Sequence, residues 1–168
     1  KESGVTSFRL QELTAANDIE HAGAHDALVD VKATIAVAKL IRDRQPRLFD
    51  FVFNNRDKHK LAGQLNVRAG QPVLHVSARY PARLGCIAAV APVAMHPVNR
   101  NGVIVYDLRS DPGPLLAMSA DEIRARLYTA TADLPEGAER IPLKVVHLNR
   151  APVIVPMGTI TDAAREQW

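Results

Sequence analysis

The densest set of side chains able to do chemistry is Glu20-His-Ala-Gly-Ala-His-Asp-Ala-Leu-Val-Asp30. Asp26 and Asp30 stand four residues apart, so on a helix they share one face and can approach a common cation. His25 precedes that helix, and an imidazole beside a metal-bound water suits a general base because its pKa sits near working pH. Two carboxylates and one His do not complete a hard-metal site, because two-ion hydrolysis of a phosphodiester by Mg²⁺ or Mn²⁺ needs further carboxylates. Asp26 reads better as a helix N-cap than as a ligand. For Asp30 the spacing leaves two readings open, metal ligand or exposed helix acid. His21 has no partner at useful spacing and reads as a surface residue.

The elements that must position this cluster begin with a helix. Leu28, Val31, Ile35, Ala38 and Ile41 follow the three-to-four spacing of an amphipathic helix over His25 to Arg44, with Asp26 at its start and Arg42 and Arg44 at its end. Pro46 stops it and suits the first turn of the next helix. That second helix is expected over Leu48 to Leu61, with Phe49, Val52 and Phe53 inward and Arg56, Lys58 and Lys60 outward. After Gly63 the pattern changes to short β-branched runs: Pro72–Ser77, Cys86–Val90, Val103–Leu108, Leu143–Leu148 and Pro152–Val155. Turn residues separate them, which predicts a small antiparallel sheet or barrel. Ser119-Ala-Asp-Glu122 is a capping box opening a helix to Tyr128 within that β-rich part. The chain therefore reads as α+β, a helical start followed by a β-rich remainder with an inserted helix, the boundary falling near 45–68.

Composition narrows the class further. The chain has 168 residues, 47% of them apolar, which excludes a disordered tail. One cysteine, Cys86, excludes an internal disulfide and a cysteine-based zinc site; it lies in an apolar run and reads as an inert core thiol. No stretch reaches the ~20 apolar residues of a membrane helix, and residues 1–20 carry no signal-peptide pattern, so a cytoplasmic location is expected. The net charge is +3, but residues 46–85 alone carry +5, with −1 on either side. Clustered positive charge is the footprint of a phosphate-rich partner, although a merely solvated basic surface would have the same composition. His96-Pro97 and Asn99–Gly102 read as a turn joining two strands.

A family resemblance rests on these residues. Phe8-Arg-Leu-x-x-Leu13 and Ile19-Glu-His-x-x-Ala-His-Asp-Ala-Leu-x-Asp-Val31 resemble the last motif of the DEDDh 3′–5′ exonucleases, whose core is His-x-x-x-x-Asp, here His25 and Asp30. The likeness continues through Gln45-Pro-Arg-Leu-Phe-Asp50, Arg56-x-Lys-His-Lys-Leu61, His75-Val-Ser77, His96-Pro-x-Asn-Arg-Asn101 and Ala125-Arg-Leu-Tyr128, and over nearly the whole chain it resembles the bacterial exodeoxyribonuclease I family.

The resemblance implies that 1–45 is the C-terminal helical piece of an RNase H-like exonuclease domain and 46–168 an SH3-like domain with its helical connection. It implies Asp30 as a metal ligand and His25 as the base, in a two-ion site using Mg²⁺ or Mn²⁺, with Asp26 left as a cap. The family's Asp-x-Glu and second-motif Asp would lie before Lys1 and its helical third domain after Trp168, so a piece of a longer enzyme is expected, inactive by itself. The implied substrate is single-stranded DNA, degraded to 5′-mononucleotides by a protein that is a monomer when full length, with a single-stranded-DNA-binding protein as a further partner. Exposed cations should track the DNA backbone, which makes Arg56, Lys58, Lys60, Arg79 and Arg83 the candidate phosphate contacts. Phe51 and Tyr80 are the candidate stacking platforms; core packing is the better reading of Phe51, which sits among Phe49, Val52 and Phe53, while Tyr80, in a loop beside Pro81, is left open. The alternative function is a module that binds single-stranded DNA or a partner peptide without catalysis.

Overall fold

The computed structural model describes residues 6–23, 26–138 and 140–161. Four helices come first: α1 (Leu10–Ala15), α2 (Ala27–Arg44), α3 (Pro46–Asn54) and α4 (Lys58–Gln64). The Asp26 carboxylate accepts from the backbone N–H groups of Leu28 (2.9 Å) and Val29 (3.2 Å), so α2 starts on the cap that its sequence predicts. Pro46 occupies the first turn of α3. The second helix expected over 48–61 is two helices. Asp57 accepts from His59 N–H and Lys60 N–H and starts α4 afresh, and this local competition for backbone donors breaks the run.

The amphipathic face of α2 points away from the rest of the described chain. Leu28, Val31, Ile35 and Ile41 remain between 42% and 61% exposed, whereas Ala33 on the opposite side is buried against its neighbours α1 and α3. The inward reading of α3 fails likewise. Phe49 is half-buried, but Val52 and Phe53 are exposed, and Phe53 stacks on Phe49 with ring centroids 6.0 Å apart. Among the described residues, no element covers these exposed apolar side chains, and no helix is long and apolar enough to cross a membrane.

The β-rich part forms one antiparallel sheet in the order β4-β3-β2-β1-β5, with β1 Val73–Val76, β2 Ile87–Met95, β3 Gly102–Asp107, β4 Leu143–His147 and β5 Val153–Pro156. The strand expected to stop at Val90 runs on to Met95. It pairs with β1 over Ile87–Val90 and with β3 over 90–95, with a register shift between Pro92 and Ala94. Pro92 is tolerated because β1 has ended there and no partner needs its missing N–H. Between β3 and β4 lie α5 (Gly113–Leu116) and α6 (Ala120–Tyr128), and α6 opens on the Ser119–Glu122 capping box. The core joins Val90, Val103, Val105, Val146 and Ile154 to Leu61 and Leu65, so α4 belongs to this unit and packs against β5 and the Leu148–Arg150 turn. The His96–Gly102 turn is structural, as expected: His96 Nδ1 accepts from the N–H groups of Val98 and Asn99. Cys86 is not a core thiol. It is half-buried at the mouth of β2, with φ +58° following Gly85 at +67°, because the chain turns left-handed there before entering the sheet.

Candidate functional site

Three groups of polar side chains bear on function. The first sits at the start of α2. After α1 the chain folds back, with Ile19 N–H donating to Thr14 O and Asp18 and Gly23 at positive φ. That return places His21 beneath the first turn of α2, where its Nε2–H donates to Asp30 Oδ1 at 2.8 Å. Its Nδ1 lies 3.2 Å from Thr14 Oγ1, which is itself buried and bonded to the carbonyls of Leu10 and Gln11. The surface reading of His21 is therefore corrected: its side chain is 7% exposed, and it fixes the orientation of Asp30, which stays 41% exposed. His25, the candidate base, lies outside the described residues. Among the described residues no three His, Cys, Asp or Glu side chains gather closely enough to hold a metal ion. Asp30 therefore presents a partly exposed, hydrogen-bonded carboxylate at the start of α2, with no second acidic or imidazole cluster gathered around it among the described residues.

The second group follows α3. Arg56 stacks its guanidinium 3.7 Å above the Phe53 ring and donates to Phe53 O, while Lys60 Nζ reaches Asn54 O at 3.4 Å. Arg56 and Lys58 line a shallow cavity of about 670 Å³ together with Leu148, Asn149 and Ala151. Lys58 and Lys60 are exposed, and Phe51 is half-buried. The Asp57 carboxyl is held below its usual range by the N–H groups of Lys60 and His59, which keeps the α4 cap ionised.

The third group was not foreseen as a unit. A cavity of about 630 Å³ opens between β1 and β4, lined by His75, Arg79, Tyr80, Arg109, Lys144 and Arg150 among others. In a flat sheet β1 and β4 would be three strand steps apart, about 14 Å. The sheet curls so strongly that Lys144 Nζ donates to His75 Nε2 at 2.6 Å. His75 accordingly carries its proton on Nδ1 and donates to Val153 O at 3.1 Å. Burial pushes His75 down to about 4, against the Val153 bond and aided by Lys144, so the imidazole is neutral at pH 7. Burial and the nearby Arg79 bring Lys144 down to about 8. Asp107 is engaged on both oxygens by Arg109, whose pKa that bond raises.

Tyr80 is 8% exposed, so it presents no open face for base stacking. Its ring meets His75 edge-on at 5.8 Å, and Lys144 Nζ and Arg109 Cζ lie 5.1 and 5.4 Å from its centroid. Burial and Asp107 push its hydroxyl up to about 12. The five candidate cations thus do not line one groove. Arg56 and Lys58 border one cavity and Arg79 the other, while Lys60 and the exposed Arg83 line neither. The two cavities nevertheless meet at one wall, the 147–152 segment. Sequence reasoning gave no role to His75 or Lys144; the available signal was a polar residue inside each of two largely apolar strands.

Comparison with known proteins agrees with this architecture. A family model described as the exonuclease I SH3-like domain matches residues 56–168. Exodeoxyribonuclease I of Escherichia coli strain K12 is 50% identical over 159 residues, covering 95% of this chain and 33% of that protein. The structure of a moderately thermophilic exonuclease I from Methylocaldum szegediense superposes with a TM-score of 0.87 at 53% identity, over 98% of this chain and 35% of that one. A zinc-bound form of the E. coli exonuclease I–single-stranded DNA complex gives a TM-score of 0.85 at 46% identity, over 99% of this chain and 37% of that one. The chain spans about a third of the length of the curated relatives it matches.

Proposed function

The chain belongs to the exonuclease I SH3-like domain family, and on that premise we propose that it is part of a 3′–5′ exodeoxyribonuclease that degrades single-stranded DNA to 5′-mononucleotides. Asp30 serves as one carboxylate ligand of a two-ion site, and His25 takes the proton from the attacking water. Divalent ions, Mg²⁺ or Mn²⁺, would complete that site with further carboxylates, which do not gather around Asp30 among the described residues. The observation that carries the reading is the apolar face of α2 beside Asp30, with Leu28, Val31 and Ile35 half or more exposed or nearly so. In a single domain such a stripe packs on another layer. A sheet carrying the remaining carboxylates, laid on that face, would bring them to Asp30. His21 supports the role by holding one carboxylate oxygen from a buried position, so that the side chain is oriented before any ion arrives.

The β-rich part holds the strand rather than cleaving it. Arg56, Lys58, Lys60, Arg79 and Arg83 supply phosphate contacts, and half-buried Phe51 retains a partial face for a base. By itself the 168-residue chain binds single-stranded DNA without catalysis.

The test is made in the intact protein. Asp30→Ala or His25→Ala should abolish most nuclease turnover while leaving single-strand binding in place. The isolated chain should release no nucleotides from single-stranded DNA with Mg²⁺. EDTA-sensitive digestion by the isolated chain, or wild-type turnover in either variant, would refute the assignment.

A further inference from the structure

The cavity between β1 and β4 has a composition that folding by itself does not explain. Arg79, Arg109, Lys144 and Arg150 line it, and the one carboxylate there, Asp107, is taken up by Arg109. Lys144 forms no ion pair among the described residues; its observed partner is a neutral imidazole, which uses one of its three N–H donors. The Tyr80 hydroxyl, on a side chain more than nine-tenths buried, has no hydrogen-bond partner. Buried polar groups are ordinarily satisfied, and an exception marks a place where a missing partner belongs. The hydroxyl calls for an acceptor, and the cations lining the cavity favour one that carries negative charge.

We propose that this cavity binds a phosphate ester, with the Lys144 ammonium and the Tyr80 hydroxyl donating to its oxygens and Arg79 and Arg150 neutralising its charge. A carboxylate would be met by a single guanidinium fork. Donors of three types arriving from β4, from the β1–β2 loop and from the Leu148–Arg150 turn suit a tetrahedral oxyanion instead. The volume of about 630 Å³ is in the range of small-ligand sites and accommodates a nucleotide. His75 is the positioning residue: buried at 4% exposure and tied to Val153 O, it accepts from Lys144 and aims the ammonium. The depressed pKa of Lys144 agrees with a cation awaiting its counter-charge. The phosphate ester could reach the cavity as a free mononucleotide or as a phosphodiester of a bound strand. The wall shared with the Arg56–Lys58 cavity connects it to the proposed strand path, but the chemistry of the cavity stands without that reading.

The experiment is protection of Lys144 from reductive methylation in the intact protein, read by mass spectrometry with inorganic phosphate, a 5′-mononucleotide or a short single-stranded oligonucleotide present. Protection by the mononucleotide identifies a free nucleotide as the source. Protection by the oligonucleotide alone identifies a strand phosphodiester, and both outcomes support the site. Tyr80→Phe, which removes only the hydroxyl, should raise the half-protecting concentration about tenfold or more, the worth of one hydrogen bond to a charged group. Exposed Lys32, methylated in the same samples, should be indifferent to every additive. Absence of protection by all three additives overturns the proposal, as does a Tyr80→Phe protein with wild-type thermal stability and unchanged protection. Because neither readout is nuclease activity, failure here is distinguishable from failure of the exonuclease assignment.

Discussion

Protonating His75 should unlock the β1–β4 corner. The folded protein holds this imidazole neutral, with a pKa of about 4, whereas in the unfolded chain it returns to 6.5. Above pH 6.5 both states are neutral and His75 adds no pH dependence. As pH falls from 6.5 towards 4 the unfolded state takes the proton first, so stability is lost across that window. A gap of about 2.5 pH units corresponds to about 3 kcal/mol in full, of which about 2 kcal/mol is already lost at pH 5. No discount for solvent is needed at 4% exposure. For a domain of this size 2 kcal/mol is about 4–8 °C of Tm. The groups facing His75 are Lys144 and Tyr80, with Arg79, Asp107, Arg109 and His147 around the same cavity. An incoming proton therefore meets mostly positive neighbours, which reinforces the sign. The assay is urea or thermal unfolding of wild type and His75→Gln at pH 5, 6 and 7, a range in which ordinary carboxylates remain ionised. The difference between the two proteins should move by about 2 kcal/mol against wild type between pH 7 and 5. Parallel curves, or a His75 imidazole titrating near 6.5 by NMR, would refute the reasoning.

Three further perturbations test other parts of the structure. Asp26→Ala should cost about 1 kcal/mol through loss of the α2 cap, and Asp26→Asn should restore it; an Asn variant as unstable as Ala would show that charge, not capping, matters. Gly102→Ala puts a Cβ 2.8 Å from His96 Cβ and 3.1 Å from Val145 Cγ1, between a tight turn and the neighbouring strand β4. It should destabilise by about 1–3 kcal/mol in chemical denaturation, and a wild-type midpoint would count against the packing described. Lys58→Glu with Lys60→Glu should weaken single-strand binding and flatten the salt dependence by about 1.4 in slope, the share of two phosphate contacts. An unchanged slope would assign those lysines to a solvated face.

Much of the local structure was legible in the residues. The capping signals at Asp26 and Ser119 act over three or four positions, so they are visible in the string and present in the fold. The β-branched runs became strands because their alternatives were poor, and the turn at Asn99–Gly102 followed from its own side-chain bonds. Where the reading failed, a competing force intervened. Asp57 restarted a helix that apolar spacing alone would have continued. The stripe of α2, inward by pattern, is exposed because periodicity says that a face seeks a partner and not whether one is present. Cys86 looked buried by composition but falls on a left-handed bend.

The amino-acid sequence by itself determined the element types, their caps, the family likeness around His25 and Asp30, and the excess of positive charge over residues 46–85. Tertiary structure alone decided that His21 reaches Asp30 nine residues on, and that His75 meets Lys144 across sixty-nine. Neither contact follows from spacing. The first depends on a loop reversing at Asp18 and Gly23, the second on how far a five-stranded sheet curls. Curl and reversal are set by how the whole core packs, so the chemistry of Lys144 and the burial of Tyr80 belong to the fold and to no segment of the chain.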